Sequence, residues 1–211
     1  MNAGTTGSGP RRALLLSYTA VLGALSILLG WMKVPFPLGN PNLGSTPVSV
    51  ASATTKPSVA FAVAIIKGLG VSLWTGQALI EIPAGVGDGL MALLTSQLSK
   101  KINAFAAVLI GQLSRYILTS GMIALVLGSI AAANPSALGA FALFSHITSA
   151  TPSASGIASL PEYIGMVWLG MIPAITASIA ANALVSVGVV AVLKKRAVPM
   201  QHGNSGLSHN L

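Results

Sequence analysis

The sequence predicts an all-α integral membrane protein with six transmembrane helices and both termini in the cytoplasm. Three observations lead there. Hydrophobic residues make up 53% of the 211 positions and charged residues only 7%, with a mean hydropathy of +0.80, whereas a soluble domain is about a quarter charged. Apolar stretches of about twenty residues recur, the length that spans a bilayer. The basic residues sit in short clusters at the ends of those stretches, which fixes orientation, since lysine and arginine favour the cytoplasmic side. That clustering also argues against nucleic acid as a partner despite the net charge of +8, because no basic stripe runs along a helix. The absence of cysteine removes thiolate nucleophiles, disulfides and iron–sulfur ligation, and three histidines, two of them in the C-terminal tail, leave no metal site.

Three divisions follow: a polar N-terminal segment (1–12), a membrane domain (13–196) and a polar tail (197–211). The first span, 13–32, comes after Arg11 and Arg12. It is too long for the core of a secretory signal, roughly 7 to 15 residues, and no small-x-small cleavage site follows, so it reads as an uncleaved helix. A second clear span, 103–130, follows Lys100 and Lys101, and a third, 164–193, precedes Lys194, Lys195 and Arg196. With all three clusters inside, the number of crossings is even, so 33–100 must cross an odd number of times.

That segment reads as three helices. A short polar one, STPVSVASATT, descends to Lys56; PSVAFAVAIIKGLGVSLW rises from Pro57; IEIPAGVGDGLMALLTSQLS descends to Lys100. Helices shorter than the bilayer are tolerated when they are buried in protein or line a cavity. Six helices place eight of the eleven basic residues inside and put Glu81 and Glu162 at the outer face. The outer connections, 33–45, 74–80 and 131–163, are longer than the inner ones, which points to a site that opens outward.

Asp88 is the outlier, one of only three acidic residues in the chain and set among glycines in an apolar run. It lies twelve residues before Lys100, Arg115 twelve after Asn103, Lys67 eleven after Lys56 and Asn182 twelve before Lys194. At about 1.5 Å per residue, all four share one depth near the bilayer middle. An ionised side chain there costs about 2.5 kcal/mol or more unless it is paired or wetted. Arg115 is the better partner for Asp88, since a guanidinium pairs with a carboxylate and keeps donors free; Lys67 is the alternative. Two cations against one anion leave a positive surplus, which points to a ligand bearing a carboxylate or other acidic group. Trp74, Gln77 and Glu81, Asn40 and Asn42 in the first outer loop, His146 and Trp168 are further candidates near the mouth of such a cavity.

Plainer roles compete with these. Asp88 and Arg115 form a purely structural pair, or Lys67 snorkels to the interface; Trp31 and Trp168 suit the interfacial belt; His146 suits a loop. GVGDG (85–89) lacks the preceding strand and the following Gly-Lys-Ser/Thr of a phosphate loop. PSASG (152–156) offers Ser155 beside glycine, but no histidine follows until the polar tail, so a base is missing and no catalytic residue is assigned. A stand-alone secondary transporter or channel remains the competing class, with Asp88 as its proton or cation site.

The first helix carries AVLGA, in which Ala20 and Ala24 form a small-residue step that lets another helix approach closely. Together with the six-helix plan, the short polar second helix, the fourth helix AGVGDGLMALL and the last helix IPAITASIAANALVSVGVVAVLKK, the chain resembles the substrate-binding S component of energy-coupling factor (ECF) transporters over residues 13–196. The resemblance implies a cell-membrane protein, not itself an enzyme and without a cofactor, that captures a vitamin or related small micronutrient from outside. It implies association with a transmembrane coupling subunit and two ATPase subunits, which hydrolyse the ATP. Carried over, Ala20 and Ala24 face the coupling subunit and PFPLGNPNLG (35–44) forms the lid. The long approach to the sixth helix, 131–163, departs from the family's pattern, and no substrate signature matches.

Overall fold

The computed structural model describes residues 9–34, 41–133 and 159–202, and these are all-helical. In chain order the helices are α1 (Gly9–Trp31), α2 (Ser45–Thr54), α3 (Pro57–Thr75), α4 (Ala78–Leu98), α5 (Ala104–Ser114), α6 (Leu118–Ala133) and α7 (Leu160–His202). Among the described residues, five helical segments are long and apolar enough to cross a membrane, α5 and α6 counting together as Ala104–Ala133. The protein is therefore a multi-pass membrane protein. Leu14, Leu16, Leu73, Ile117 and Leu184 are each more than 60% exposed, while Ser45, Ser49, Asp88, Gln112 and Asn182 are wholly buried. Apolar outside and polar inside is the inverse of a water-soluble fold, and it suits a hydrocarbon solvent.

Sequence punctuation explains the boundaries. Pro57 occupies the first turn of α3, where its missing N–H costs nothing. Asn103 caps α5, its side chain accepting the Ala106 amide at 2.8 Å. The last helix runs on past the Lys194–Arg196 cluster to His202, further than the span expected to end at 193.

The two larger apolar clusters each tie three helices together. One joins α2, α3 and α4 through Val48, Ala51, Val63, Ala64 and Met91; the other joins α4, α6 and α7 through Ala84, Ile123, Leu127, Val167 and Met171. Where α3 crosses α4, Gly68 meets Gly85 backbone to backbone: a Cβ on Gly68 would lie 2.8 Å from both the Glu81 carbonyl oxygen and the Gly85 Cα. Only glycine fits there, and this approach brings Lys67 within reach of Asp88.

The sequence read 103–130 as one continuous helix, but the structure breaks it. The amides of Arg115, Tyr116 and Ile117 bond three residues back, and Ser120 then reaches back five, to the Arg115 carbonyl. Neither proline nor glycine occupies the break. It is held by side chains: Ser120 Oγ donates to the Tyr116 carbonyl, and Trp168 Nε1 from α7 donates to the same oxygen at 2.6 Å. Helix kinks arise where a side chain enters the hydrogen-bond ladder in this way.

α2 is ten residues long, about 15 Å, well short of a bilayer core of about 30 Å. Residues Ser45 to Ser52 are all buried, enclosed by α1, α3, α4, α5 and α7.

Candidate functional site

Three helices and the break between α5 and α6 deliver the polar centre. α4 supplies Asp88, α3 Lys67, the start of the break Arg115, and the first turn of α6 Thr119. Lys67 Nζ lies 2.5 Å from Asp88 Oδ2, and Arg115 Nε lies 3.0 Å from Asp88 Oδ1. Ser45 Oγ donates to Oδ2 at 2.5 Å and Thr119 Oγ1 to Oδ1 at 2.8 Å. Each carboxylate oxygen thus accepts two hydrogen bonds, which fills the four sites an ionised carboxylate offers. The sequence left Arg115 and Lys67 as alternative partners; the aspartate takes both, one on each oxygen.

A second network holds Arg115 from its other end. Its Nη1 donates to Gln112 Oε1 at 3.2 Å and to Ser178 Oγ at 3.3 Å, and Gln112 Nε2 donates to Ser49 Oγ on α2 at 2.6 Å. Asn182 Nδ2 donates to the Asn42 carbonyl at 2.7 Å and to the Ser178 carbonyl at 2.8 Å, while its Oδ1 accepts from Thr46 Oγ1 at 2.9 Å. Asn182 therefore ties α7 both to α2 and to the segment just before it.

Beside this centre lies a cavity of about 90 Å³, room for several water molecules. Its polar lining includes Lys67, Arg115, Asn42, Gln77, Glu81 and Ser178. Lys33 also lines it and pairs with Glu81 at 2.6 Å, with Gln77 accepting a further bond from the same ammonium at 3.2 Å. Lys33 is partly exposed, whereas Glu81, Lys67 and Arg115 are buried. The cavity so runs from a polar mouth to a cationic floor.

The candidate residues divide accordingly. Lys67, Arg115, Glu81 and Asn42 line the cavity. Asp88 and Asn182 do not; both are fully buried, and they hold the lining residues in place. Trp74 is 67% exposed and packs edge-on against Trp31 with ring centroids 5.4 Å apart, turned away from the cavity. Ala20 and Ala24 are both exposed on α1. Trp168, half-buried, clamps the helix break rather than the cavity. Asn40, His146 and Ser155 lie outside the described residues, as does most of the segment assigned as a lid.

Ser45, Gln112, Thr119 and Ser178 escaped the sequence reading. Their one signal was spacing: Gln112 stands one turn before Arg115, and Ser178 one turn before Asn182. Among the described residues, no three His, Cys, Asp or Glu side chains converge as metal ligands. No protein family matches the chain, and neither curated proteins nor solved structures give a match.

Proposed function

We propose that the protein is the substrate-specific S component of an ECF-type importer of the cell membrane. It captures a vitamin or related small micronutrient from outside and passes it on through a coupling subunit and ATPase partners. The observation that carries this reading is the cavity itself, open at the Lys33–Glu81 end and floored by two buried cations that four neighbouring elements hold in place. Convergent, pre-positioned polar groups on an otherwise apolar wall are the pattern of a small-molecule site. Ala20 and Ala24, on an exposed helix face, fit a surface for the coupling subunit.

In this reading α2 is a sixth crossing, short but sheathed by protein, and both termini are cytoplasmic. Lys56 then lies at the inner face. A cysteine placed at position 56 is expected to react with a membrane-impermeant maleimide only after the cell is permeabilised; labelling from outside in intact cells overturns the six-crossing arrangement.

Capture is tested by a thermal-shift screen of the purified chain against vitamins, their precursors and small organic acids. A ligand at about a hundred times its dissociation constant adds roughly 2.7 kcal/mol of stability, which raises the melting temperature by several degrees. One strong hit is expected; none, with folded protein, removes the capture role.

The helix break at Arg115–Ile117 favours a second reading, a stand-alone secondary transporter, because discontinuous helices build the ion and substrate sites of such proteins. Asp88 would then be its proton or cation site. Against this, its carboxylate already accepts four hydrogen bonds and lies between two cations. Uptake by this chain alone, abolished by a protonophore, would establish the second reading in place of the first.

A further inference from the structure

The buried centre carries one positive charge more than it balances. Lys67 and Arg115 face a single carboxylate, and the Lys33–Glu81 pair at the mouth is neutral in sum. Asp88 has no acceptor site left with which to bind the two cations further. The cations, in contrast, hold donors in reserve. A guanidinium has five N–H groups; Arg115 uses one at Nε and two at Nη1, and Nη2 meets no acceptor among the described residues. Lys67 has three N–H groups, of which two are engaged, by Asp88 and Ser45. Both side chains are more than nine-tenths buried and both line the cavity. Among the described residues only Ser26 Oγ and Ser186 Oγ are sealed polar atoms without a partner, so the spare donors of Arg115 and Lys67 open onto the cavity, where an entering acceptor can reach them.

Between these two cations and the polar groups of the mouth, Lys33, Asn42, Gln77 and Glu81, the cavity wall is of a different character. Ile80, Ala84, Ile123, Met171 and Ile175 face the same space and offer nothing to a second charge. We propose that the cavity binds a small organic monoanion. Its carboxylate bridges Arg115 Nη2 and Lys67 Nζ, and its apolar body lies against Ile123, Met171 and Ile175. Asp88 is then not a ligand contact: it is the fixed counter-ion that aims both cations. This assignment rests on the capture reading above and narrows it. A dianion exceeds the single surplus charge, and its second charge meets either the apolar stretch of wall or Lys33, which Glu81 already neutralises. An amine meets two like charges, and an amide turns an NH2 group toward donors that need acceptors.

The test is titration of the full chain in detergent with matched pairs that differ only at the carboxyl group: nicotinate and nicotinamide, biotin and biotinamide, lipoate and lipoamide. Hexanoate, hexanedioate and hexylamine complete the charge series, with melting temperature and calorimetric affinity as readouts. At least one monocarboxylate is expected to bind roughly tenfold or more tightly than its amide, the scale of one charge-assisted hydrogen bond. Arg115→Lys keeps a cation beside Asp88 but lacks Nη2, so it should lower that affinity about tenfold. It also gives up the bonds to Gln112 and Ser178, so affinity is measured below the variant's own melting temperature, where a folded variant that binds the carboxylate as tightly as the unaltered protein overturns the assignment. Ala174→Leu fills the cavity, which Ala174 lines, without touching the charged groups, and should abolish binding.

An amide or amine that binds as tightly as the carboxylate, and is blocked by Ala174→Leu, overturns the monoanion assignment and leaves the capture reading standing. Carboxylate binding that survives Ala174→Leu places the anion elsewhere and overturns the assignment. If no member of any charge class binds to folded protein, the assignment and the capture reading fail together.

Discussion

Asp88→Ala is expected to cost about 3–5 kcal/mol, the range found when one partner of a buried ion pair is removed. The figure belongs at its upper end here, because one carboxylate serves two cations, and both Lys67 and Arg115 would be left buried without a counter-ion. Ser45 and Thr119 would lose their acceptor in the same step. Thermal unfolding in detergent and monodispersity on gel filtration measure the effect; a melting temperature equal to that of the unaltered protein rules out the ion cluster as a structural element. Asp88→Ala combined with Lys67→Met should recover part of the loss, since one orphaned charge disappears with the second change. Residues that share a network deviate from additivity by about 0.5–3 kcal/mol, and the deviation here should be toward stability.

Gly87→Ala is expected to destabilise by about 1–3 kcal/mol, the usual range for overpacking, although alanine is the better helix former. A Cβ at Gly87 would stand 2.5 Å from the Thr119 Cα and 2.6 Å from the Leu118 carbonyl oxygen. Both are backbone atoms, so no rotamer change relieves the contact and α4 and α6 must part. Their parting carries Thr119 away from Asp88 Oδ1, and with it one of the four bonds on the carboxylate. The comparison that isolates this cause is Gly121→Ala, in α6, where an added Cβ meets nothing within 4 Å. That change should be neutral or stabilising in the same melting experiment. Equal losses from the two would mean that helix flexibility, and not close approach, is what glycine supplies.

Much of this was legible because hydrocarbon makes charge conspicuous. A charged aspartate in an apolar run has to find a partner, and counting the helical rise from each basic cluster brought Lys67, Asp88, Arg115 and Asn182 to one depth; the hydrogen-bond network joins all four. Depth does not give azimuth, however. Trp74 has the right height for the mouth but the wrong side of α3, and one residue of phase turns a side chain by about 100 degrees. The serines and threonines that complete the site were silent for another reason: on a membrane helix such residues also bond back to their own carbonyls, as Thr19 does to Leu15 and Ser129 to Leu125, so their presence alone does not mark a tertiary contact. The break at Arg115 was not legible in QLSRYILTSG: Ser120 bonds back to its own helix as many serines do, and its second clamp, Trp168, stands more than fifty residues on.

α2 draws its partners from almost the whole length of the chain. Ser45 waits for Asp88, Ser49 for Gln112 and Thr46 for Asn182, and the last of these stands on α7, more than a hundred residues further along the chain. Until α7 emerges from the ribosome, this serine- and threonine-rich helix has no complete set of acceptors and donors, and its ten residues are too short and too polar to settle in lipid by themselves. It is made before α3 and completed only with α7. Biogenesis of the bundle is thus a closing of apolar helices around a late-seated polar core, and a chain truncated before Leu160 should leave α2 without its final anchor.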